Sequence, residues 1–167
     1  MLKLMDSRLF RTVAGKFPSG VTVITTTSAD GAVHGMTANG FISVSLEPPL
    51  VLVSVGEHTR THQRLTENDR YAVNVLGHEQ KPVALHFAGR PGEVAPEYEW
   101  IEGHPFIKGA ISKMLCRIVD RHKAGDHTLF IGEVDFVEHS PGELPLVFSN
   151  GQLFSPLERD EQGRPLP

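Results

Sequence analysis

The segment Gly35-Met36-Thr37-Ala38-Asn39-Gly40-Phe41 gathers small and polar residues between two apolar stretches. Small residues at a strand end let backbone N–H and C=O groups approach a flat ligand closely. Thr37 and Asn39, with Ser54 from the run Ser43 to Val55, carry groups suited to the edge of a heteroaromatic ring. Small residues between strands also make ordinary turns, so the segment reads either way. Gly56-Glu57-His58-Thr59-Arg60-Thr61 leads from an apolar run into a helix start. N–H groups at a helix N-terminus, with two hydroxyls and an arginine nearby, suit a single phosphate. A threonine there is more commonly a plain N-cap.

Other chemistries lack their residues. No G-x-G-x-x-G follows a strand pattern, and neither G-x-x-x-x-G-K-[ST] nor G-x-S-x-G occurs. This argues against a Rossmann dinucleotide site, a P-loop and a hydrolase elbow. Among nine histidines, His58 and His62 are spaced i, i+4. His58 falls at the helix start, however, and no H-E-x-x-H or second ligand cluster accompanies the pair, so no metal site is expected. Cys116 is the single cysteine and cannot form an internal disulfide. A soluble cytoplasmic protein is expected.

The elements that must position these residues follow from composition and pattern. The chain has 167 residues, enough for one domain with a real core, and 16 Lys+Arg against 20 Asp+Glu leave a net charge of −4. With a pI near 6.1, binding to nucleic acid or to a membrane surface is disfavoured. No apolar run reaches membrane-spanning length, and Met1 to Thr12 lacks a signal-peptide core. Val, Thr and Ile supply 16, 10 and 7 residues, which favours strands, and 16 Gly with 12 Pro imply many tight turns.

A first helix is expected from an Asp6 or Ser7 cap, with Leu9, Phe10, Val13, Ala14 and Phe17 on its apolar face and Pro18 and Gly20 ending it. Val21–Thr27 and Val33–Thr37 read as a hairpin around Ala29–Ala32. Phe41–Leu46 alternates, and Leu50–Val55 reads as a buried central strand. Thr59–Asn68 and Glu79–Ala88 read as helices around the strand Tyr71–Leu76, with Pro82 in the first turn of the second. Gly89–Gly109 reads as one long loop. Ile111–Arg121 and Leu129–His139 are strands around His122–Asp126, and Leu146–Phe154 turns at Asn150-Gly151. Six to eight antiparallel strands with short helices suggest a barrel or sandwich. Residues 1–155 form a single domain in this reading, and 156–167, polar and proline-containing, a fraying tail.

The run Phe17-Pro18-Ser19-Gly20-Val21-Thr22-Val23-Ile24-Thr25-Thr26, with the GMTAN and SVSLEPPLVLVSV segments, resembles the flavin reductase-like family. Further matches are Tyr71–Leu76, Gln80 to Ala88 ending in His86-Phe87-Ala88, Gly125-Asp126-His127-Thr128 and Pro145-Leu146-Val147-Phe148. They run in the family's order from about residue 6 to residue 155. The resemblance implies a mainly β fold with short helices, the antiparallel FMN-binding split barrel. It further implies the reductase component of a two-component flavin-dependent monooxygenase. One departure is Gly40, where the family usually has serine after the asparagine.

By this resemblance, Thr37, Ala38, Asn39, Gly40, Ser54 and Val55 would face the isoalloxazine and ribityl chain of FMN or FAD. Thr59 and Thr61 would lie near the phosphate, and Phe87 would pack beside the cofactor. His127, with Gly125 and Asp126, would stand on the nicotinamide side as the catalytic residue. NADH or NADPH would donate the hydride, and the flavin groove would lie at a homodimer interface. Three functions follow as expectations: an NAD(P)H:flavin oxidoreductase supplying a partner monooxygenase, an FMN-holding electron carrier, and a non-catalytic β-barrel binding module.

Overall fold

The structure, a computed structural model, describes residues 6–93 and 95–156. Three helices and twelve strands are present among them: α1 (Ser7–Ala14), β1 (Ser19–Gly20), β2 (Thr22–Thr27), β3 (Val33–Ala38), β4 (Phe41–Leu46), β5 (Pro49–Gly56), α2 (Arg60–Glu67), β6 (Arg70–Val75), α3 (Lys81–Phe87), β7 (Tyr98–Ile101), β8 (His104–Ile107), β9 (Ser112–Ala124), β10 (His127–His139), β11 (Val147–Ser149) and β12 (Gln152–Phe154).

Seven strands form one sheet in the order β3-β2-β6-β9-β10-β5-β4, and every pairing in it is antiparallel. Its two edge strands, β3 and β4, are neighbours in sequence, joined only by Asn39 and Gly40. Laid flat, a sheet of this width would hold its edges about 29 Å apart. The link from Ala38 to Phe41 reaches about 11 Å at most. The sheet must therefore roll until its edges meet, and no ladder joins β3 to β4. That is a split barrel, as the resemblance implies.

Alternation along the strands fills the barrel. Val51, Val53 and Val55 of β5 face inward with Ile24, Leu65, Tyr71, Val73, Cys116 and Phe130. A second core, with Val21, Val23, Leu76, Ala84, Ile107 and Leu146, joins the barrel to α3 and the β11–β12 hairpin. Burial pushes the Cys116 thiol up to about 12, so it stays protonated.

Four expectations need correction. Gly89–Gly109 is not one loop, because β7 and β8 form a hairpin over 98–107. Glu102 and Gly103 adopt φ of 51° and 75° at its turn, the left-handed pair a two-residue hairpin requires. Polar anchors hold it: Asn74 Oδ1 accepts from Ile107 N at 2.7 Å, and Lys113 Nζ pairs with Glu99 and Glu138. His122–Asp126 contracts to the two-residue turn Gly125-Asp126, because β9 and β10 pair up to Ala124 and His127. Leu50–Val55 is next to the sheet edge and buries one face only. α1 ends at Ala14 with Gly15 as its cap, earlier than Pro18, and none of its residues is buried. The expected tail begins at Pro156, and 157–167 lie outside the described residues.

Candidate flavin site

The link that rolls the sheet also builds a groove. Met36, Thr37 and Ala38 end β3, Asn39 and Gly40 cross to β4, and Ser54 and Gly56 end β5 beside them. His58 and Thr59, at the entry to α2, and His127, first residue of β10, complete a groove of about 370 Å³. Ser54 N donates to Gly40 O at 2.8 Å. A Cβ at position 40 would stand 3.1 Å from the Ser54 Cβ. The close approach of the two strands at the groove floor therefore gives glycine a packing reason at the one position where the sequence departs from the family pattern.

Thr59 caps α2: its Oγ1 accepts from His62 N at 3.1 Å and donates to Gly56 O at 2.8 Å. Helix geometry leaves the remaining first-turn N–H groups without intrahelical acceptors, directly after His58 and Thr59 on the groove wall. The β9–β10 turn is fixed to the same corner, since Glu57 N donates to Asp126 O at 3.0 Å. His127 Nδ1 is hydrogen-bonded to Asp126 Oδ1 at 2.7 Å, which leaves Nε2 as the ring atom free for a ligand. The hydrogen bond and charge of His127 hold the Asp126 carboxyl below its ordinary value.

Seven of the residues expected at the site therefore share one groove: Thr37, Ala38, Asn39, Gly40, Ser54, Thr59 and His127. Others do not reach it through their side chains. Val55 is wholly buried in the barrel core. Thr61 is buried with its hydroxyl hydrogen-bonded to His34 Nε2 at 2.9 Å, so it is not free for a phosphate. Phe87 packs on the second core, against Gly35 at the outer side of β3. Gly125 and Asp126 form the exposed turn behind His127. Ala38 lines the groove but is buried and belongs to the barrel core.

Met36, Gly56 and His58 also line the groove. They sit inside the two segments that the sequence marks, and only the rolled sheet shows which of their neighbours face inward instead. His62, the other half of the i, i+4 pair, bonds Thr128 Oγ1 at 2.8 Å, and no cluster of three or more potential metal ligands occurs among the described residues.

The groove and the open corner at α2 fit a flavin mononucleotide unit. Small backbone-lined walls, Ser54 and Asn39 suit a flat polar ring, and the α2 entry suits its phosphate. The flavin reductase like domain matches residues 14–156. The chain belongs to that family. An NADH-dependent flavin reductase from Rhodococcus sp. is 43% identical over 156 residues, covering 90% of this chain and 88% of that protein. The reductase subunit HsaB of a flavin-dependent monooxygenase from Rhodococcus jostii is 34% identical, covering 94% and 81%. Among solved structures, flavin reductase PheA2 in its native state superposes with a TM-score of 0.85 at 47% identity, covering 90% of this chain and 98% of that one. No helix among the described residues of this flavin reductase family member is long and apolar enough to cross a membrane.

Proposed function

We propose that the protein is an NAD(P)H-dependent flavin reductase that hands reduced FMN or FAD to a partner monooxygenase. The observation that carries this is the convergence of the Thr37–Gly40 link, the entry to α2 and His127 on one groove. Family membership and relatives named as NADH-dependent reductases and a monooxygenase reductase subunit support it. When bound, flavin and nicotinamide supply the hydride chemistry themselves, from nicotinamide C4 to flavin N5. The protein's part is to hold two rings in contact and to exclude alternatives. Ser54, Asn39 and the backbone of Thr37–Gly40 orient the flavin edge, and backbone N–H groups at the α2 entry, held in place by the Thr59 cap, take the phosphate. His127 lines the same groove, where its Nε2 would orient a bound nicotinamide or offset negative charge on a bound flavin. No nucleophile is needed.

We read residues 1–155 as the catalytic domain, working as a cytoplasmic homodimer without nucleic-acid or membrane partners. Exposed apolar side chains support the dimer: Phe10, Val13 and Phe17 near α1, and Ile42, Val44 and Leu46 on the edge strand β4, with Leu46 95% exposed. NADH oxidation with added FMN and FAD tests the function. Turnover that depends on flavin is expected. A yellow protein that does not consume NADH or NADPH would instead be an electron carrier, and one that binds no flavin would be a binding module.

A further inference from the structure

Charge is divided unevenly along the chain. Residues 7–29 hold Arg8, Arg11 and Lys16 and no acidic residue, whereas residues 91–107 hold Glu93, Glu97, Glu99 and Glu102 and no lysine or arginine. Both stretches also carry exposed apolar surface. In the first, α1 buries none of its residues, and Phe10, Val13 and Phe17 stand exposed beside the three cations. Arg8 lies in the first turn of α1, where the helix dipole disfavours positive charge, so helix stability does not explain it. In the second, the β7–β8 hairpin presents Trp100, the single tryptophan, which is 56% exposed. β7 pairs with β8 alone, so its outer edge is open. Lys108 pairs with Glu97 and Lys113 with Glu99, but the three cations of the first stretch, Glu93 and Glu102 are in no ion pair among the described residues.

We propose that α1 of one copy docks on the β7–β8 hairpin of a second copy, with Phe10 and Val13 against Trp100 and the basic residues against the hairpin's glutamates. The inference rests on the homodimer reading and names two surfaces that meet in it. Within one chain both surfaces stay exposed, so α1 does not cover the hairpin of its own chain. Opposite charges around apolar centres favour this pairing, and like charges oppose helix on helix or hairpin on hairpin. An arginine over the open indole face adds a cation–π contact. Tryptophan and arginine are also the residue types on which interface energy concentrates. In a two-fold pair the contact forms twice, since each copy brings one helix and one hairpin.

With one indole in the chain, tryptophan emission reports on this surface directly. The test follows light scattering and tryptophan emission of the full-length protein across a dilution series, with circular dichroism as the folding control. Arg8→Glu/Arg11→Glu should weaken self-association at least about tenfold and move the emission to longer wavelength, although both changes lie outside the hairpin. Glu97→Lys/Glu102→Lys should do the same, and Glu97→Gln/Glu102→Gln replaces it if that variant fails to fold. Both reversals in one chain should restore association and emission, because the two surfaces have then exchanged their charges. Unchanged association and emission in the α1 variant overturn the proposal, and α1 and the hairpin then have other occupants. Failure of the combined variant to recover overturns it as well. If the reversed variants stay dimers that Val44→Lys/Leu46→Lys dissociates, this contact fails and the homodimer reading stands. A wild-type monomer at every concentration overturns both.

Discussion

In its proposed role His127 has one free ring nitrogen, Nε2, because Asp126 occupies the other at 2.7 Å. Most of the proposed flavin contacts come from residues 37–59, so His127→Ala should lower kcat/KM for NADH by about 10–100-fold, or about 1.4–2.7 kcal/mol of transition-state stabilisation. Flavin affinity should stay nearly constant. Stopped-flow reduction alongside a melting curve checks this: normal reduction with a lowered Tm would leave His127 a turn residue only. Steric blocking needs a residue whose side chain faces the groove. Ala38 is the wrong choice despite its place in GMTAN, since its side chain is buried in the barrel core and a tryptophan there would disrupt the fold. Ser54 is half-buried at the groove. Ser54→Trp should abolish quenching of flavin fluorescence while circular dichroism stays native, and retained quenching would remove Ser54 from the site.

At the scale of elements, α2 joins the proposed phosphate corner to the barrel. Thr59→Ala removes the side-chain acceptor for His62 N and should cost about 1 kcal/mol of stability. Urea titration would read that loss. The same helix couples to β3 through Thr61 and His34. Burial, then the charges of Arg64 and Arg60, hold the His34 imidazole below its ordinary 6.5. His104, half-buried at the start of β8, is shifted the same way by partial burial and then by the charge of Arg70. With these pKa values lower in the folded state, the unfolded chain binds more protons in the window just below 6.5. Stability is full above that window and falls as pH drops through it. Tm measured between about pH 7.5 and 5 should decline, and His34→Gln should flatten part of the slope. An unaltered slope would show that His34 is not the group responsible.

For the whole molecule, the rolled sheet leaves β4 as an unprotected edge with apolar side chains outward, a surface that soluble proteins ordinarily cover. A homodimer of about 37 kDa, twice the 18.4 kDa chain, is the expected form. Val44→Lys/Leu46→Lys should shift light scattering toward the monomer and weaken flavin binding together. A stable wild-type monomer that reduces flavin would reject a shared site. Closure of the barrel is equally sensitive. A Cβ at Gly132 would meet the Tyr71 hydroxyl at 2.5 Å and the Cys116 Cβ at 2.8 Å. Gly132→Ala should therefore destabilise by about 1–3 kcal/mol, visible as a lower denaturation midpoint.

Local chemistry made much of this legible in the chain. The cap at Thr59, Pro82 in the first turn of α3 and the Asn150-Gly151 turn depend on residues within a few positions of one another, and all stand where the pattern puts them. The β-branched runs likewise became strands. The β7–β8 hairpin was hidden because two four-residue strands, one holding Pro105, carry little pattern of their own. They are fixed by distant partners, Asn74 and Lys113. The same division holds at the site. GMTAN and the segment before α2 mark the groove by composition, but one-residue differences decide which side chains enter it. Thr59 lines the groove as the helix cap and Thr61 is buried against His34; Ser54 faces the groove and Val55 the core. Strand alternation and helix phase set those directions only once the sheet has rolled. Its rolling follows from a two-residue link between edges that the sequence alone does not identify as edges.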